Sequence, residues 1–209
     1  MDRVIGTGRV RRLRARRARL GAGSILIVAG LVMVGSFVYQ VWGTGVTTAH
    51  AQAGFRAQIA AEGFPVRPLI GGVAGFIQIP RIHLDMAFVQ GAGAKALGQG
   101  PGHYASTPMP GHGGNVAIAG HRTTHLHPFW SLDDLRRGDR VVLQTHVGLF
   151  VYRVRWVRVV APDDWSVIVP TPVPSLTLTT CTPRFTSRQR LVVRAVEIVG
   201  PDLARGSSG

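Results

Sequence analysis

Ser175-Leu176-Thr177-Leu178-Thr179-Thr180-Cys181 has the period-two pattern of a β-strand, with Thr177, Thr179 and Cys181 sharing one face. Polar threonines suit the floor of a groove, across which an extended peptide could lie. Cys181 is the only cysteine in 209 residues. Sixty residues upstream, His121 ends a second β-type run, Asn115-Val-Ala-Ile-Ala-Gly-His121-Arg122. Nine residues downstream, Arg190 opens a third, Arg190-Leu-Val-Val-Arg194-Ala-Val-Glu-Ile198. A cysteine, a histidine and an arginine, each at a strand boundary, are the parts of a thiol transferase. Two neighbouring strands ending at one rim would bring thiol and imidazole together despite their separation.

Outward from this run, the chain from residue 70 reads as short strands divided by Gly and Pro. Strands are expected at 73–79, 83–90, 115–119, 140–145, 149–160, 175–180 and 190–199. Helix is expected only at the margins, as one turn at 94–97 and a short helix at 128–135. Seven or eight short strands of this kind predict an all-β, closed β-barrel. In the long 149–160 strand, Arg153, Arg155 and Arg158 require one wet face.

The net charge of +14 resembles a nucleic-acid signature until it is located. Eight of the 24 basic residues precede residue 20, opposed only by Asp2, so the arm carries +7 and the other 190 residues share +7. A binder of nucleic acid would concentrate charge on one face, so no nucleic-acid partner is expected. Leu20 to Trp42 (LGAGSILIVAGLVMVGSFVYQVW) then carries no charge. At ~1.5 Å per residue it would span roughly 35 Å as a helix, enough for a bilayer core. The arginine block would hold the amino terminus in the cytoplasm. A cleavable signal peptide, cut near Ala49-His50-Ala51, is the competing reading, although the apolar stretch is long for one. The expected organisation is a basic cytoplasmic arm (1–19), a transmembrane signal-anchor (20–42), an extracytoplasmic linker with a short helix at 52–62 (43–69), a catalytic β-barrel (70–199) and a flexible tail (200–209). A lone cysteine on an exported domain has no internal disulfide to form.

Residues 70–199 resemble the sortases, and class E sortases of actinobacteria in particular. The resemblance rests on Thr177-Leu-Thr-Thr-Cys181, followed by Pro183-Arg-Phe185 and Arg190. It extends to Ala119-Gly-His121-Arg122-Thr-Thr with Pro128-Phe129, Leu132, Leu135 and Gly138-Asp139, and to Gly100-Pro-Gly-His-Tyr104. It implies a membrane-tethered transpeptidase of a Gram-positive cell wall that cuts a carboxy-terminal sorting signal between Thr and Gly. The implied partners are secreted proteins bearing a Leu-Ala-x-Thr-Gly signal, in preference to Leu-Pro-x-Thr-Gly, and an amine of a peptidoglycan precursor such as lipid II, or of a pilin. By the same resemblance Cys181 is the nucleophile and His121 the general acid and base. Arg190, which cannot be a base, holds the oxyanion, substrate or thiolate. Thr180, Thr179, Tyr104 and Arg122 are candidate substrate contacts, and Trp165 a candidate groove residue. The family implies a mostly neutral thiol and imidazole in the free enzyme.

No cofactor or metal is expected. His121, His125 and His127 lack a nearby carboxylate or second cysteine, and Asp133, Asp134 and Asp139 are better explained by helix ends and turns. His112 is a second imidazole near His121, and Arg184 and Arg188 could exchange roles with Arg190. Another cell-wall cysteine transpeptidase or peptidase is one rival reading. A catalytically silent, membrane-anchored binding module is the other.

Overall fold

The computed structural model describes the backbone of residues 7–200 and the side chains of 23–40 and 43–200. The side chains of the arginine arm and the tail at 201–209 lie outside the described residues. The chain divides into two compact units, Met1–Gln40 and Val41–Gly209. The first is α1 (Thr7–Val38), on which Ile25, Leu26, Leu31, Met33 and Phe37 are all exposed. Among the described residues no helix is long and apolar enough to cross a membrane. The described apolar part of α1 begins at residue 23, short of the ~20 residues that a bilayer core needs.

The second unit starts with α2 (Thr44–Glu62). It contains β1 (Val73–Ile79), β2 (Leu84–Gln90), α3 (Ala94–Leu97), β3 (Gly102–His103), β4 (Asn115–Ala119), β5 (Arg140–Thr145), β6 (Gly148–Val160), β7 (Ser175–Thr182) and β8 (Gln189–Val199). The eight strands close into a barrel in the order β1-β2-β3-β4-β7-β8-β6-β5. The expected all-β barrel is therefore observed, and β3 is the strand that was not expected. Its two residues are too few to show a period, and pairing with β2 and β4 makes the strand.

The alternation within β7 has the anticipated structural cause. Leu176 and Leu178 enter a continuous core with Ile77, Phe88, Ile118, Leu143, Phe150, Tyr152 and Val193. Burying a leucine contributes about 1.5–3 kcal/mol. The other face carries Thr177, Thr179 and Cys181, and the first two are also buried, because the segment after β6 lies over them. Along β6, Arg153, Arg155 and Arg158 are exposed as expected, while Phe150, Val151 and Tyr152 are buried in succession where the register with β8 shifts.

Two helical expectations change. The helix anticipated at 128–135 is a single 3-10 turn at Leu132–Asp134. Phe129, Leu132 and Leu135 are buried, and a spacing of three matches the 3-10 period rather than the α period. The short helix expected inside a linker is instead the end of the 19-residue α2. Its buried residues are Thr48 and Gln52, so the packed face carries no apolar stripe. Thr48 Oγ1 donates to Gly98 O (2.8 Å), and the Gln52 amide pairs with both backbone groups of Ala87 (3.0 and 2.7 Å).

Candidate active site

Cys181 and Arg190 face each other as register partners across the antiparallel β7–β8 ladder. Cross-strand neighbours on one face lie within side-chain reach, and Arg190 Nη1 donates to Cys181 Sγ at 3.6 Å. The same nitrogen donates to Ser187 O and Gln189 O (3.1 and 3.2 Å), which fixes the guanidinium at the turn. Cys181 is half-buried.

His121 arrives from β4, which pairs in parallel with β7 as far as Ala119 opposite Thr179. Gly120 N extends that ladder by donating to Thr179 O (3.0 Å), so His121 follows at the level of Cys181. Gly120 is required here, because a Cβ would lie 2.5 Å from Phe129 Cδ2. Phe129 N in turn donates to His121 O (3.1 Å). Glycine, histidine and phenylalanine are thus linked by packing, although eight positions separate the last two. Burial is the main influence pushing the His121 pKa below the ordinary imidazole value, and the neighbouring His125 adds to it. The imidazole is therefore neutral at pH 7. His121 stacks on His125, with ring centroids 4.6 Å apart and planes at 21°.

His121, Cys181 and Arg190 line one cleft of about 300 Å³ with Tyr104, Thr179 and Trp165. Tyr104 and Thr179 are joined by a 3.1 Å hydroxyl–hydroxyl hydrogen bond. Val167 and Ile168 complete the opposite wall with Trp165. The wall is latched from below, since Val167 O accepts from Arg194 Nη2 (2.6 Å) and Asn115 Nδ2 (3.1 Å). Thr177 Oγ1 reaches both Asn115 Oδ1 (2.7 Å) and Val167 O (3.2 Å), so β4, β7 and β8 all hold this loop. Asn115 and Arg194 were not anticipated. Each reads as an ordinary strand residue, and only the loop above makes it matter.

Two of the residues expected as substrate contacts are not among those lining the cleft. Thr180 is 3% exposed, and its hydroxyl donates to Gly120 O (2.7 Å). Alternation along β7 turns it away from Cys181, so its side chain ties β7 to the backbone just before His121. Arg122 is also buried, with its guanidinium 2.7 Å from Asp133 and donating to Thr182 Oγ1 at 2.9 Å. It braces the 121–135 segment against β7 and does not line the cleft. His112 is exposed on another loop, Arg184 pairs with Asp133, and neither lines the cleft. Among the described residues no three His, Cys, Asp or Glu side chains gather as metal ligands.

Such a cleft can seat an extended peptide, with a thiol, an imidazole and a fixed cation around one carbonyl. Comparison with known proteins agrees. Residues 77–198 match the Sortase domain family. The chain is 35% identical over 193 residues to sortase SrtE1 of Streptomyces coelicolor, covering 82% of this chain and 54% of that protein. It is 31% identical over 203 residues to sortase SrtE2 of the same organism, covering 82% and 78%. The chain thus spans about half the length of the first relative. The crystal structure of sortase E1 from S. coelicolor with a tripeptide in its active site superposes with a TM-score of 0.58 at 33% identity, covering 64% of this chain and 97% of that one. A closed eight-stranded barrel with cysteine, histidine and arginine at one rim, matched over most of its length, makes this chain a member of the sortase family, of the sortase E kind.

Proposed function

We propose that the protein is a membrane-anchored cysteine transpeptidase. It cuts a carboxy-terminal sorting signal of the Leu-Ala-x-Thr-Gly or Leu-Pro-x-Thr-Gly type between Thr and Gly, and passes the Thr to a cell-wall or pilin amine. The observation that carries this reading is the guanidinium of Arg190 at 3.6 Å from Cys181 Sγ, in a cleft that His121 also lines.

The signal lies extended across Thr179 and Tyr104, against the wall of Trp165, Val167 and Ile168. Cys181 attacks the Thr carbonyl as thiolate, giving a tetrahedral oxyanion beside Arg190. A fixed cation in a water-poor cleft stabilises charge that develops only in the transition state. His121, protonated, gives its proton to the departing glycine amine, and a thioester remains on Cys181. The acceptor amine then attacks the thioester and His121 takes a proton from it. The new amide leaves and the thiolate is regenerated. Because burial holds the His121 pKa down, only a minor fraction of the free enzyme carries the imidazolium at neutral pH.

The uncharged run at 20–42 behind eight arginines supports a single-pass anchor, amino terminus inside and residues 43–209 outside. That placement puts the cleft where exported proteins and wall precursors meet. The test uses the full chain in detergent, with a Leu-Ala-x-Thr-Gly peptide and excess triglycine, read by mass spectrometry. Wild type is expected to give the Thr–triglycine product and Cys181→Ala none. Equal product from both would sink the proposal. No product with either signal peptide would favour a silent binding module.

A further inference from the structure

The ring of His121 accepts and donates no hydrogen bond among the described residues. A proton-transfer imidazole is normally oriented by a third group on its far nitrogen, and misorientation by 10–20° is enough to lower turnover. Here the ring of His125 covers one face of that imidazole instead, which limits its rotation by stacking rather than by a hydrogen bond. His125 itself sits in an unusual backbone. His125, Leu126 and His127 have φ values of 55°, 60° and 38°, three successive non-glycine residues in the left-handed region. Such a conformation persists only where the surroundings over-determine it.

Those surroundings are α2 and α3. His125 N donates to Thr44 Oγ1 (3.2 Å) in the first turn of α2, and His125 Nδ1 meets Thr124 Oγ1 (3.1 Å). Gly45 also lies beside this segment, where a Cβ would be in ordinary contact with Leu126 Cδ2 (3.4 Å). The helix is pinned in turn by Thr48 and Gln52 to Gly98, Ala87 and Gln99. Thr44, Thr48 and Gln52 recur every four residues on one face, and that face connects the 125–127 segment to the barrel.

We propose that His125 is a positioning residue for His121, stacking its imidazole into the orientation needed for proton transfer, and that the first turn of α2 holds His125 in place through Thr44. The proposal rests on the reading of His121 as the acid and base. It gives α2, which directly follows the apolar 20–42 run in sequence, a direct bearing on turnover. The other ionisable groups around the pair are Cys181 on β7, Arg190 on β8, Tyr104 after β3 and Asp164 on the opposite wall, all lining the cleft. Lys95 lies on α3 and His127 in the same segment as His125. The first turn of α2 brings no acidic residue.

The test measures kcat and KM separately for the full chain in detergent, and follows the ring proton of His121 by NMR across pH. His125→Ala is expected to lower kcat on the order of 10-fold with KM within about twofold, and to move the His121 titration to higher pH as burial and the neighbouring cation are lost. His125→Phe keeps a stacking ring and is expected to recover most of kcat, while the His121 titration still moves up because the cation is gone. Thr44→Val is expected to lower kcat roughly threefold, and Thr44→Ser to restore it. Wild-type kcat and wild-type His121 titration in His125→Ala would overturn the proposal. So would a loss confined to KM, or a His125→Phe no better than a folded His125→Ala. If His125→Ala fails to fold, His125→Leu, which fills the space without a stacking ring, takes its place, and wild-type kcat in it overturns the proposal. His121→Ala run alongside separates the two readings: near-normal turnover in it refutes His121 as the acid and base, whereas its loss beside indifferent His125 variants refutes only the positioning role.

Discussion

Cys181 and Arg190 sit in a ladder of eight residue pairs between β7 and β8, whereas His121 sits two residues beyond the last pair of β4, at the head of a segment that forms no strand until β5. The proposed nucleophile and its cation are placed by backbone hydrogen bonds that run the length of both strands. The proposed acid and base is placed by a patchwork: a glycine that admits Phe129, a threonine hydroxyl on the Gly120 carbonyl, a stacked second imidazole and the pair of buried Arg122 with Asp133. The ladder side should therefore tolerate side-chain change without moving, and lose only chemistry. The patchwork side should lose geometry and chemistry together.

The largest expected effect lies on the ladder side. Cys181→Ala should abolish turnover, a loss of more than ~10³-fold, with an unchanged melting temperature because no core side chain is removed. Arg190→Gln should reduce kcat/KM about 10²–10³-fold, as expected for one lost oxyanion-stabilising group, again with little change in melting. Steady-state kinetics beside thermal denaturation checks both. A drop of many degrees in either melting temperature would show that these side chains, and not the ladder, hold the rim.

On the patchwork side the main effect is on stability. Asp133→Ala leaves the Arg122 guanidinium, 4% exposed, without its carboxylate, and a buried unpaired charge costs about 3–5 kcal/mol. Arg122→Met should cost less, about 1–3 kcal/mol, because Asp133 is partly exposed and keeps Arg184. Urea titration of both variants checks the order, and the reverse order would contradict the burial argument.

Most of the ladder side was legible in the sequence. Alternation in β7 gave its faces, and Cys181 and Arg190 stood at strand boundaries. Of the other side, His121 was legible because β4 has an unbroken apolar run before it. The supports were not. Thr180 and Arg122, which adjoin Cys181 and His121 in sequence, entered as substrate contacts through the family resemblance. A strand turns neighbouring residues to opposite faces, and Arg122 has its carboxylate eleven positions away in a 3-10 turn. The reach of α2 was hidden for a related reason. Its packed face is Thr48 and Gln52, so hydropathy shows no stripe and the segment reads as linker. Arg194 gave no signal because its partner is a backbone carbonyl.

Arg194 supplies a smaller test, on the substrate wall. Arg194→Leu removes the 2.6 Å bond to Val167 O but leaves that of Asn115. The wall of Trp165 and Ile168 should loosen, raising KM for the signal peptide several-fold with kcat nearly unchanged. A fall in kcat at constant KM would instead couple Arg194 to the chemistry. The smallest effect is on pH-dependent stability. His103 and His121 both have pKa values lowered chiefly by burial, so the unfolded chain binds more protons just below about pH 6.5. Stability should be full above that pH and fall as pH drops through the folded-state values. His103→Gln should flatten the dependence in chemical denaturation, and an unchanged slope would remove His103 as a source.

The most direct test of the central claim is to trap the acyl-enzyme. The full chain in detergent is mixed with a Leu-Ala-x-Thr-Gly peptide without any acceptor amine, quenched in acid and weighed intact, then digested to locate the adduct. The expected result is a mass increase equal to the peptide acylated through its Thr carbonyl, mapped to Cys181 and discharged by added triglycine. An adduct on another residue, or one that persists in Cys181→Ala, would contradict the account.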